Sequence, residues 1–216
     1  MICVECGDNG ILLDGTPCVC AKGISEQSTE TPYTAVPPQY LNVRFSDEFV
    51  KSDLEAYYAT FLRKLHDDIC KRKLRYSNQF ISSPVNHSKS VFAYSCIQSL
   101  FRSGADVFPL VDMKEAQVVM RDVENSRRST LLQGLEVEPS QLLTVEYLFL
   151  KVLVTENYRD LQTLIERRVR RGNSTILLSS SSWNYLQGAD KSETLIHMIG
   201  DGSYNSVKIN NFWVKK

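Results

Sequence analysis

Two groups of residues in this sequence have the types and spacing to do chemistry. The first closes the stretch Phe80-Ile81-Ser82-Ser83-Pro84-Val85-Asn86-His87-Ser88-Lys89-Ser90. An apolar run enters it, an amphipathic run from Val91 to Phe101 leaves it, and it ends in Lys-Ser. That is the position and ending of a phosphate-cradling loop, G-x-x-x-x-G-K-S/T. In such a loop backbone amides close on the phosphates, the lysine reaches the outer phosphates and the hydroxyl holds Mg2+. Here Ser83 and Ser88 stand at both glycine positions. Glycine adopts positive φ freely and lets backbone approach a phosphate, whereas serine does so at a cost. Lys89 and Ser90 are the candidate nucleotide-binding residues, in a cradle that the serines distort.

The second group is Cys3, Cys6, Cys18 and Cys20, spaced C-x2-C, eleven residues, then C-x-C. Two close pairs joined by a short Gly- and Asp-containing hairpin can wrap four thiolates around one structural Zn2+. Residues 1–23 are too few to own a core, so the metal would supply their folding free energy. The remaining cysteines, Cys70 and Cys96, fall in helical patterns and suit small core positions. The three histidines, His66, His87 and His197, are scattered, and no Ser/His/Asp spacing suggests nucleophilic catalysis.

The composition sets bounds on these chemistries. Lys plus Arg equals Asp plus Glu at 25 each, so no global charge draws the chain to nucleic acid or membrane. No apolar run approaches the ~18 residues that span a bilayer, and the first residues lack a basic-then-apolar leader. A cytoplasmic location is expected, with the cysteines metal-bound or reduced rather than disulfide-paired.

Elements must position the two groups. Residues 24–38 are Ser/Thr/Pro-rich without periodicity and read as a linker to a main domain over 39–216. Apolar spacing predicts helices over 46–74, 90–103, 113–123, 158–171 and 192–199. Strands are expected over 76–82, 107–111, 146–154, 175–178 and 207–214, with 146–154 buried on both faces apart from Lys151. Residues 125–139 are polar and read as a mobile connection. This alternation predicts an α/β fold, a mainly parallel sheet covered by helices. Ligands in such sheets sit outside the carboxyl ends of the strands, where the Ser83–Ser90 stretch falls. Two basic clusters stand out, one ending the first helix and one of Arg167, Arg168, Arg170 and Arg171.

From about Val36 onward the chain resembles the IstB/DnaC-type AAA+ ATPases, a P-loop NTPase-like family that includes bacterial and phage replicative-helicase loaders. Val36-Pro37-Pro38-Gln39-Tyr40 followed by Phe45 is similar to its "I-P-x-R-Y … F". Ser83-Pro84-Val85-Asn86-His87-Ser88-Lys89-Ser90-Val91-Phe92-Ala93 is similar to "G-P-x-G-x-G-K-T-H-L-A". Glu146–Leu153 falls where the family has "D-L-L-I-L-D-D-L", its metal-binding Walker B strand. Arg168, Gly172 and Thr175–Ser180 follow "R-Y … G … P-T-I-I-T-S-N". The cysteine cluster resembles the zinc segment of phage and Gram-positive members.

The departures each remove a requirement of hydrolysis. Both cradle glycines are serine. Lys151 and Val152 replace the carboxylates that hold the Mg2+ shell and activate water. Ser180 replaces a sensor asparagine, and no arginine occurs in 193–199. The resemblance therefore implies a pseudo-ATPase with ATP and Mg2+ bound weakly or not at all, and structural Zn2+ as its cofactor. It implies a helicase loader or loader-like adaptor whose partner is a hexameric replicative DNA helicase. Single-stranded DNA contact and self-association are expected through Arg167, Arg168, Arg170 and Arg171. The same features suit an inhibitor that occupies a helicase or host loader, or a transposition accessory protein.

Overall fold

The structure, a computed structural model, describes residues 36, 37, 40, 56–74, 78–82, 86–152, 158–180, 199 and 208–209. The chain divides into two compact units, Met1–Arg44 and Phe45–Lys216. In the first, Val36 is buried and the Tyr40 N–H donates to Pro37 O at 2.8 Å. The expected zinc segment over 1–23 and most of the expected linker lie outside the described residues.

The second unit is built on two apolar runs. Tyr147–Val152 (β5) is buried at every position except Lys151, and Ser174–Ser179 (β6) is buried throughout. Strands buried on both faces belong in a parallel sheet covered on both sides. They pair with each other and with Gln79–Ser82 (β1), Val111–Asp112 (β2) and Lys208–Ile209 (β7), in the order β2-β5-β6-β1-β7. Every neighbouring pair in this sheet is parallel. Lys151 lies beside Asp112 on one side and Leu178 on the other, and Leu178 lies beside Ile81. The carboxyl ends of four strands therefore finish together.

Helices flank this sheet. Ala56–Cys70 (α1) buries Leu62, Leu65 and Ile69 at three- and four-residue spacing. It packs on Asn86–Arg102 (α2), which is buried at every position from Lys89 to Gln98. Met113–Glu124 (α3) starts from a reciprocal cap. The Asp112 carboxylate accepts from the Glu115 N–H at 2.9 Å, and the Glu115 carboxylate accepts from the Asp112 N–H at 2.9 Å. The main core cluster joins Phe80, Val111, Leu148, Leu150, Val152 and Leu177 of the strands to α3 and to Tyr158–Val169 (α5). Ile81, Phe149, Ile176 and Leu178 are buried outside that cluster. As alternate strand positions they belong to the opposite sheet face.

Three expectations are corrected. The helix expected from Ser90 begins at Asn86, so only residues 83–85 separate it from β1. Asparagine and serine favour helix starts, and without glycine the left-handed conformations of a phosphate cradle are costly. The strand expected over 107–111 is reduced to Val111–Asp112. Phe108 and Leu110 are buried, but Pro109 has no N–H for the ladder. Third, the polar 125–139 stretch is not a plain connection. It holds an antiparallel hairpin, Thr130–Leu132 (β3) with Leu135–Val137 (β4), followed by the short helix Gln141–Thr144 (α4). Gln133 and Gly134 have φ of 51° and 82°, the two positive values of a type I′ turn. The Gln133 side chain donates to Leu110 O at 3.0 Å and to Glu115 Oε1 at 2.9 Å, tying the hairpin to the body.

No described helix is long and apolar enough to cross a membrane. Of the expected 192–199 helix only Ile199 is described, helical and buried, and of the expected 207–214 strand only β7.

Candidate functional site

Where the strands end together, a cavity of about 230 Å3 is lined by Lys89, Ser90, Asp112, Lys151, Val152, Leu178 and Ser180. β2, β5 and β6 deliver Asp112, Lys151 and Leu178 to its floor, while the first turns of α2 deliver Lys89 and Ser90. Both α2 residues are buried. The fold thus brings together Lys89, Ser90, Lys151 and Ser180 around one cavity.

The chemistry of that cavity is cationic. Lys89 Nζ donates to Ser179 O at 3.0 Å and to Ser180 Oγ at 2.9 Å, so its head is held on the end of β6. Burial pulls its pKa down to about 8, and the charge of Lys151 acts in the same direction. Lys151 is the exposed position of β5. A carboxylate is present, but it comes from Asp112 on β2 and its Oδ1 caps α3. Mg2+ needs oxygen ligands in near-octahedral array, and a lysine at the end of β5 repels it. The cavity is also smaller than the ~300–1,000 Å3 of small-molecule pockets. No step of hydrolysis is assigned to these residues.

The four arginines do not act as one patch. Arg168 is fully buried and donates to Thr175 Oγ1 at 3.1 Å, Leu142 O at 2.7 Å, Val145 O at 2.9 Å and Ser174 O at 2.6 Å. Burial lowers its pKa to about 9, which leaves the guanidinium protonated at neutral pH. The expectation that Arg168 contacts DNA or a neighbouring subunit is therefore corrected: it ties α5 to β6 and to the carbonyls around α4. Arg167 Nη2 pairs with Glu124 Oε1 at 3.1 Å. Arg170 and Arg171 are exposed, and Arg171 Nη1 donates to Arg167 O at 3.0 Å.

A second constellation brings together residues that the sequence left apart. Donor atoms of His66, Cys70 and Cys96 all lie within 4.8 Å of one another, close enough to hold one metal ion. α1 carries His66 and Cys70 one turn apart, and α2 carries Cys96. His66 Nε2 is 2.9 Å from Ser95 Oγ, and Cys70 Sγ is 3.7 Å from His66 Nδ1. The His66 ring meets the Phe92 ring edge to face, with centroids 6.1 Å apart. A hydrogen bond from Cys96, then one from His66, draws Cys70 down to about 5 against its burial. Burial, with the Cys70 thiolate beside it, pushes Cys96 well up. The spacing of His66 and Cys70 at i and i+4 was a visible signal. The arrival of Cys96 was not. The expected zinc ligands Cys3, Cys6, Cys18 and Cys20 lie outside the described residues. No protein-family model matches the chain, and neither does any curated protein sequence.

Proposed function

We propose that this chain is a P-loop-type, AAA+-like domain that has given up nucleotide hydrolysis and acts as a replicative-helicase loader or loader-like adaptor. The absence of hydrolysis rests on one observation: two lysines, Lys89 and Lys151, share the cavity where the resembled family places a lysine opposite carboxylates. Lys89 donates to Ser179 O and to Ser180 Oγ at the end of β6. The helix start at Asn86, ahead of the second cradle position at Ser88, adds to this reading. The side-by-side placing of β1, β6 and β5 with common carboxyl ends is the arrangement such a domain needs. The helicase partner rests on the order of the sequence pieces from Val36 to Ser180. Zn2+ at the N-terminal cysteines, self-association, and DNA contact through Arg170 and Arg171 are parts of the same proposal.

Titration calorimetry with Mg-ATP is expected to give no binding at micromolar nucleotide and no turnover. Micromolar affinity with hydrolysis abolished by Lys89→Ala would overturn the pseudo-ATPase reading. For the partner, the chain is mixed with a replicative helicase, and loading onto protein-coated single-stranded DNA is measured with and without ATP. Stimulated loading independent of ATP is the expected result. Binding with loss of unwinding would identify an inhibitor instead, and absence of any complex would remove the helicase from the proposal.

A further inference from the structure

Outside the strand-end cavity, the described residue group best equipped for binding lies where α1 crosses α2. We propose that His66, Cys70 and Cys96 form a zinc site that clamps α1 onto α2, with ligands other than the N-terminal cysteines and outside the cavity. The donor set is two thiolates and one imidazole, the borderline-soft combination that selects Zn2+ over hard cations. One donor edge matches tetrahedral zinc. Zn–S bonds of about 2.3 Å and Zn–N bonds of about 2.05 Å set an S···N edge of about 3.6 Å. The Cys70 Sγ to His66 Nδ1 distance is 3.7 Å. All three donors fall within 4.8 Å of one another, against tetrahedral edges of about 3.6 Å for S···N and about 3.8 Å for S···S.

The surroundings also suit a ligand set. A zinc-bound histidine uses one ring nitrogen for the metal, while the other N–H is held by an outer partner that fixes the ring. Ser95 Oγ stands 2.9 Å from Nε2 in that outer position, and Cys70 Sγ lies 3.7 Å from Nδ1 and 3.8 Å from Nε2. Phe92 walls the ring on another side. Cys96 is fully buried, whereas His66 and Cys70 are half-buried, which puts the proposed site at the edge of the α1–α2 contact. Three protein ligands with an open fourth position is a zinc arrangement able to take water or an incoming ligand. His66 and Cys70 come from one helix turn and Cys96 from its neighbour. The ion would therefore lock two elements that already meet through apolar packing and the His66–Ser95 hydrogen bond.

The test uses the full chain and zinc itself. In a chain carrying Cys3→Ser, Cys6→Ser, Cys18→Ser and Cys20→Ser, equilibrated with Zn2+ and desalted, one zinc per chain is expected. Adding Cys70→Ser should reduce this to none. Co2+ substitution should give thiolate-to-cobalt charge-transfer absorption that falls on Cys70→Ser and on His66→Gln. Zinc should raise the thermal midpoint of the four-serine chain by about 5 °C, a rise that Cys70→Ser abolishes. If the four-serine chain does not fold, the unaltered chain is compared with Cys70→Ser alone, and loss of one zinc equivalent is expected. Zinc-free protein with normal circular dichroism would overturn the site, as would zinc content unchanged by Cys70→Ser. A mass two hydrogens lower, showing a Cys70–Cys96 disulfide in the freshly purified chain, would also overturn it.

Discussion

Arg168 shows how far a residue's place can depart from its type. Arginine is rarely fully buried unless paired, and here its donors are matched by four oxygens rather than by a carboxylate. Removing it would leave three carbonyls and a hydroxyl without that partner in the interior. Arg168→Met is expected to cost roughly 3–5 kcal/mol, read as a lower urea midpoint, whereas Arg170→Ala changes stability by less than about 0.5 kcal/mol. Arg168→Lys should also destabilise, because one ammonium cannot reach all four acceptors.

Lys89 gives a prediction whose sign follows from its environment. Its folded pKa of about 8 lies below its unfolded value, so between the two the unfolded chain binds more protons. Stability then rises with pH across that interval and is lost as pH falls through about 8. Lys89→Met has no such group. The stability of the wild type relative to Lys89→Met should increase from pH 8 to pH 10, measured by denaturant unfolding at each pH. A flat difference would show that Lys89 is not desolvated in the cavity.

At the scale of elements, helix ends set much of the local geometry. α2 and α5 finish with Gly104 and Gly172, at φ of 74° and 76°. After α5 the Gly172 N–H donates to Val169 O and the Asn173 N–H to Arg168 O, closing the last carbonyls. α1 and α3 make the same closure with Arg72 and Ser126, at φ of 54° and 53°. A side chain in this conformation is strained. Ser126→Gly is therefore expected to stabilise by roughly 0.5–1 kcal/mol, seen as a higher thermal midpoint. Arg72 is a poorer place for the same change, since it pairs with Glu146 at 2.5 Å. The β3–β4 hairpin went unread because its strands are three residues long, below the length at which alternation is visible. Its signal was Gln133-Gly134, a weak form of the Asn-Gly turn.

On the scale of the whole molecule, the parallel sheet explains why the cavity exists. Parallel strands end on one side together, and the helices that follow them start there, so side chains from distant parts of the sequence meet at that edge. Lys89, Asp112, Lys151 and Ser180 span more than ninety residues of chain and line one space. The proposed metal site is built differently, from the crossing of two helices.

The sequence by itself determined the order of the sheet strands β1, β2, β5 and β6 and of the long helices that alternate with them, because hydrophobic periodicity and turn residues are local properties. It also showed that Lys151 is the one charged position in the apolar run of β5. Only the tertiary structure decided that Arg168 is interior. The hint was its place on the apolar stripe of α5, after Leu161, Leu164 and Ile165, but a charge at the end of a helix equally suits solvent. Only the tertiary structure brought Cys96 to His66 and Cys70. Periodicity tells which face of a helix is apolar, and it carries no information on which other face that one meets.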